Sequence, residues 1–415
     1  MTLGTDDLND DVLTEILVRL PPRSVLRSRA VCKRWRHAAT SASFVAAYSL
    51  RRPLDVILYP RRRGIREYAI DRVPLDGVDG CRRLLDHGRL LEYSASCDGL
   101  LLFSVAKESF VICNPATRQC ARFPALAPTP CMWVLPSGFY LHRPSGEHRV
   151  LCFAMEIPPR QYYDSTERVY KYEGHVHDPC PYDDDDDGER IVRCPPVHYV
   201  LSTGTAQPRR LGPFAGFRGN HAFPPCGVDV GGTLHWARHP WTGTNSPAML
   251  TFDTVAETFR KMPMPPAAAT VPDHLINLFD MRGTLAASAM GEWPYLDIWS
   301  LDDYAGERWS HHARVELPAA AKVPAYGVKY RPYYGEAVAA LQGDVLVLFT
   351  VGGWVTLYDV KEKRTMRVLR RGDNGRHEPC WGLYRESLVP AAIDGLPCSP
   401  GALPFSARCP SVTSW

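Results

Sequence analysis

The 415-residue chain contains no C-x-x-C pair, no run of about 18 unbroken apolar residues and no large excess of either charge. Each absence excludes something. Without C-x-x-C there is neither a zinc-knuckle spacing nor a thioredoxin-like redox motif. Without a long apolar run no membrane-spanning helix is expected, because the strongly apolar stretches, such as Val345 to Val351, are strand-sized. The net charge of +3, from 48 Lys/Arg against 45 Asp/Glu, is too balanced for whole-molecule binding to nucleic acid or to an acidic membrane. Also missing are G-x-S-x-G, the P-loop, H-E-x-x-H and a helix-opening G-x-G-x-x-G. No catalytic residue and no cofactor are therefore expected.

Apolar residues make up 45% and aromatics 10%, enough to build a large core. The thirteen cysteines are odd in number and scattered. Several sit inside apolar runs, such as Cys113 and Cys152, and read as reduced thiols acting as small hydrophobes. The N-terminus carries Asp6 and Asp7 where a secretory signal would be basic. The expectation is a soluble protein of the cytoplasm and/or nucleus.

Residues 1–50 read as helix. In 10–20, apolar side chains at Val12, Leu13, Ile16, Leu17 and Leu20 form one wide stripe on a 3.6-residue period. Asp10 and Asp11 suit the positive end of the helix, and Pro21-Pro22 stops it. Helical text resumes from Arg23 to about Ala47, predicting three short helices in all. So few residues enclose little, yet the segment holds more large apolar side chains than its own interior can use, so a partner is expected to cover one face.

From Leu54 the text changes to strands punctuated by Gly, Pro, Asn and Asp about every ten residues. Four segments repeat one grammar, opened by Gly99, Gly232, Gly283 and Gly343. The last three lie about 50–60 residues apart, near a propeller-blade period. The wider gap from 99 to 232 predicts two or more further blades plus an insertion. Segments 54–59 and 381–384 are expected to close the ring from its two ends. The predicted architecture is α+β and multi-domain: a helical domain (1–50), a linker with first strands (51–90), a propeller of six or seven blades (91–390) with an acidic insertion at about 157–195, and a tail (391–415).

Residues 8–36 closely resemble an F-box, through Ile16-Leu17, Leu20-Pro21, Ser24-Val25-Leu26 and Val31-Cys32-Lys33-Arg34-Trp35. Asn9 stands where that family usually has proline, and is itself a good helix cap. The strand-rich part is similar to the plant F-box-associated, kelch-related propeller, through Ser96 to Leu101, Cys113 to Arg118, Phe252 to Phe259, Leu296 to Leu301 and Tyr384 to Val389. The resemblance implies a substrate receptor of a Skp–cullin–F-box ubiquitin ligase, with the Skp-family linker and cullin as partners and a protein of unknown identity as target. The docking face it implies is Leu8, Val12, Leu13, Ile16, Leu17, Leu20, Pro21, Val25, Leu26, Val31 and Trp35. A propeller binding module without ubiquitin transfer, or a propeller enzyme, are the alternatives.

For the target, loop aromatics Tyr162, Tyr163, Trp241, Trp293, Tyr333 and Tyr334 are the candidates, although aromatics serve equally well between blades. The run Asp183 to Asp187 reads as a solvated loop, lacking calcium-loop spacing. His175, His177, Cys180, Cys194 and His198 offer five ligands, but no zinc-finger spacing, so no metal is assigned to them. Residues 1–90 carry seventeen Lys/Arg against eleven Asp/Glu, including Arg61 to Arg63. That patch reads as a solvated hairpin and linker rather than a nucleic-acid site.

Overall fold

In the computed structural model, the described residues are 9–59, 68–75, 82–87, 92–106, 109–123, 126, 132–156, 161–164, 169–172, 197–212, 226–237, 247–271, 276–291, 294–317, 337–342, 344–350, 354–370 and 380–391. Four helices come first, one more than the sequence predicts: α1 (Asp10–Arg19), α2 (Pro22–Ser28), α3 (Lys33–Thr40) and α4 (Ala42–Leu50). The expected third helix is divided at Ser41, whose hydroxyl caps α4 by accepting from the Phe44 amide.

All that follows is β. Six four-stranded antiparallel sheets form a six-bladed β-propeller. Blade 1 takes three strands from the start of the ring (Leu54–Tyr59, Tyr68–Pro74, Arg82–His87) and one, Cys380–Arg385, from its end. The ends meet in register, with Leu54 opposite Arg385 and Tyr59 opposite Cys380. Blades 2, 4, 5 and 6 run in chain order over 92–122, 228–263, 276–316 and 337–370.

Blade 3 corrects the expected spacing. The gap between Gly99 and Gly232 holds one further blade, not two, built from Met132–His142, Glu147–Glu156, Val197–Ser202 and Thr205–Arg210. Its second and third strands are separated by an insertion that includes the small hairpin Gln161–Asp164 with Val169–Tyr172. Total length between repeat glycines misleads when an insertion falls inside a blade.

Each blade is buried on both faces, which is why its second strands are continuously apolar rather than alternating. In Leu100–Ala106, Leu100 and Leu102 pack toward blade 3 while Leu101 and Phe103 pack toward blade 1. Six apolar clusters result, one at every junction from blades 1–2 round to 6–1. The turns repeat as well. Gly99, Gly232 and Gly283 have positive φ, as their place before a strand predicts. Gly343 lies outside the described residues. Between third and fourth strands, Asn114, Asp253 and Asp303 accept backbone amides two or three residues on. Cys32, Cys97, Cys113, Cys120, Cys152 and Cys226 are free thiols.

His198 is a core residue rather than a ligand-in-waiting. It is 1% exposed, between Phe153 and Phe259 with ring centroids 5.5 and 4.8 Å away. Burial pushes its imidazole from 6.5 down to about 3, and pushes His235 down to about 4. Both pKa values are lower folded than unfolded. The stability contributed by each is therefore complete above pH 6.5 and is lost as pH falls toward the folded value. Urea unfolding is expected to lose about 1.4 kcal/mol per pH unit from each imidazole over that window. A stability that stays flat on acidification would refute this.

Candidate functional site: the exposed face of the N-terminal helices

Asn9 opens α1, its side-chain oxygen accepting from the Asp11 amide at 3.4 Å. Asp10 and Asp11 occupy the first turn and Arg19 the last, both favourable to the helix dipole. Leu20 leaves the helix extended, as the residue before proline must. The helices are then tied by polar bonds at their margins. Arg34 pairs with Asp10 at 2.8 Å and Arg51 with Glu15 at 2.7 Å, the latter holding the Glu15 carboxyl below its usual range. Tyr48 donates to the Leu20 carbonyl at 3.2 Å, and the Arg52 guanidinium stacks 4.2 Å over the Tyr48 ring.

Packing divides the wide apolar stripe of α1 into two rows. Leu13 (1% exposed) and Leu17 (0%) face inward with Val18, Val25, Ala39, Phe44 and Tyr48. Val12 (46%) and Ile16 (42%), one residue earlier in each turn, face outward, and Val31 is 60% exposed between α2 and α3. The expected eleven-residue face is therefore corrected. Leu13, Leu17 and Val25 are sealed in the helices' own core and offer nothing to a partner. Val12, Ile16, Pro21 and Val31 are exposed, while Leu20, Leu26 and Trp35 are half-buried at the edge of that core. Leu8 lies outside the described residues.

Leu388 was invisible to sequence reasoning. It follows the closing strand of blade 1 yet is buried in the helical core. Its neighbours turn the other way: Asn114 of blade 2 donates to the carbonyls of Ser387 (3.1 Å) and Val389 (2.6 Å), and Ala391 donates to Gln119. One short extended segment thus joins helices and propeller. Its alternation, Ser387-Leu388-Val389, was the available signal, but nothing in the text said where the middle residue would go.

The proposed target contacts do not assemble into a site. Trp241, Trp293, Tyr333 and Tyr334 lie outside the described residues, and only the backbone of Tyr162 and Tyr163 is placed, in the insertion hairpin. Of the five suggested ligands, His175, His177, Cys180 and Cys194 also lie outside them. No helix of the described residues is long and apolar enough to cross a membrane.

Residues 6–46 match the F-box domain. The chain is 27% identical over 337 residues to the F-box/LRR-repeat protein At2g43260 of Arabidopsis thaliana, covering 75% of this chain and 68% of that one. It is 24% identical to the F-box protein CPR1 of the same plant, over 76% of this chain and 75% of the relative, and 23% identical to the F-box protein At3g07870, over 74% and 72%. The chain is thus one with an F-box domain at its N-terminus, Arabidopsis F-box proteins as its homologues and a six-bladed β-propeller over the remainder.

Proposed function

We propose that this chain is the substrate-recognition subunit of a Skp–cullin–F-box ubiquitin ligase. In this reading the helices dock the Skp-family linker, which brings cullin, and the propeller holds a protein target. The observation that carries it is the outward row Val12 and Ile16, with Val31 beside it, on the segment that matches the F-box. Exposed branched aliphatics on adjoining helices cost solvent contact unless a partner covers them, and burial returns about 25 cal/mol per Å2 before the costs of association. Half-buried Leu20, Leu26 and Trp35 continue the same surface, and Trp35 is the anchor favoured by residue type. The chain would perform no bond chemistry itself. Holding a target beside a charged conjugating enzyme raises the effective concentration of its lysines.

The test is Val12→Asp with Ile16→Asp in the full chain, read by binding to a purified Skp-family linker. Both positions are exposed, so thermal unfolding should be unchanged while linker affinity falls by at least about 100-fold, or about 2.7 kcal/mol. Leu17→Asp would not serve, because it buries a carboxylate in the helical core and would abolish binding by unfolding. Undiminished linker binding by the double variant would overturn the assignment.

A further inference from the structure

We propose that Cys97, Asp98 and His148 form a binding site for a zinc-class divalent cation that clasps blades 2 and 3. The three residues come from two blades and are fifty residues apart in sequence, so no spacing motif announces them. Cys97 ends the first strand of blade 2 and Asp98 begins the turn that follows. His148 lies near the start of the second strand of blade 3, opposite Leu141. One donor atom from each lies within 4.8 Å of the other two, and His148 Nε2 stands 3.2 Å from Asp98 Oδ2. Tetrahedral zinc with bonds of about 2.0–2.3 Å holds its donors somewhat closer than that upper limit, within reach of small side-chain rotations.

Donor chemistry selects the ion. One sulfur, one imidazole and one carboxylate suit zinc or its transition-metal neighbours, not magnesium or calcium, which take oxygen. The scaffold holds two of the donors in place. Asp98 has φ +49° in a tight turn with Gly99, and the His148 amide donates to Thr203 Oγ1 at 3.1 Å. The His148 ring leans on Phe139 with centroids 5.9 Å apart, leaving Nε2 toward the carboxylate. The local charge also favours a cation. Burial foremost, then Asp98 and Asp229, push the Cys97 thiol well up, and burial foremost, then Asp98 and Asp280, push Asp229 up to about 6, with Arg143 opposing. A dication would relieve that accumulation and displace the Cys97 proton, releasing one H+ to solvent as the metal–sulfur bond forms. Three protein donors leave a fourth position for water.

Cobalt(II) titrated into chelator-treated full-length protein tests the site. The expected result is a thiolate-to-cobalt charge-transfer band with tetrahedral ligand-field bands, saturating at one ion per chain and displaced by zinc. Cys97→Ser should remove the charge-transfer band, and Asp98→Asn and His148→Gln should each weaken binding about 100-fold. Asp98 is partly exposed and asparagine tolerates its positive φ, so that variant stays folded whatever becomes of the cysteine. Cys32→Ser, at an exposed thiol, should change nothing. No charge-transfer band in excess cobalt, or a band that persists in Cys97→Ser or keeps its affinity in His148→Gln, would overturn the proposal and leave His148 and Asp98 as a simple hydrogen-bonded pair.

Discussion

Leu388→Ala should destabilise the folded chain by about 2–5 kcal/mol, the range for removing a buried leucine from a core that refills poorly. The effect is expected to be concentrated at the join between helices and propeller. Leu388 is the propeller-side residue of the helical cluster, and it is held there by Asn114 bonds to its two neighbours. Those backbone bonds survive the substitution, so the closing strand should stay paired while the helices lose their hold. Limited proteolysis should then cut near residues 51–53, between α4 and the first strand, much faster than in the wild type. Leu50→Ala is the control. That side chain is 74% exposed, and its loss should stay within about 0.5 kcal/mol. If the two variants resist denaturant and protease equally, Leu388 does not join the two parts. The result matters for function, because a rigid join fixes where a target on the propeller sits relative to whatever the helices bind.

Gly99→Val is the second large effect, and it tests ring closure. The backbone there has φ +77°, which costs an L side chain about 1–2 kcal/mol. A Cβ would also lie 2.6 Å from the Ser387 Cβ and 2.8 Å from both the Arg385 carbonyl and the Ser387 amide. Two of those three neighbours are backbone of the segment that closes the ring, so they yield only if the closing strand shifts. Overpacking of this kind adds about 1–3 kcal/mol, for a total of about 2–5 kcal/mol. Gly146→Ala separates the terms. Its φ is +71°, but nothing lies within 4 Å of the added carbon, so it should show the conformational term alone. Melting temperatures that fall equally in both variants would mean that the approach of Gly99 to the closing segment is not limiting.

The F-box helices were legible because their signals are local. Asn9, the paired aspartates and Pro21-Pro22 act within a turn of where they stand, and α1 begins and ends where they direct. The blades were legible for the same reason: a glycine before a strand and an Asn or Asp after one impose turns on adjoining residues. The division of α1 was not legible. Val12 and Leu13 share one apolar stripe, and a helical period cannot say which row meets α3 and α4 and which meets solvent.

Text alone therefore settled the kind of each element, the helical start and the antiparallel ring, since propensity, capping and turn chemistry depend on neighbours in the chain. The blade count, the seating of Leu388 among the helices, the free row of Val12 and Ile16, and the meeting of Cys97 and Asp98 with His148 were decided only in three dimensions. Those contacts join residues tens to hundreds of positions apart. Which of several apolar or polar partners meets which is chosen by the packing of whole sheets, and no short stretch of chain carries that choice.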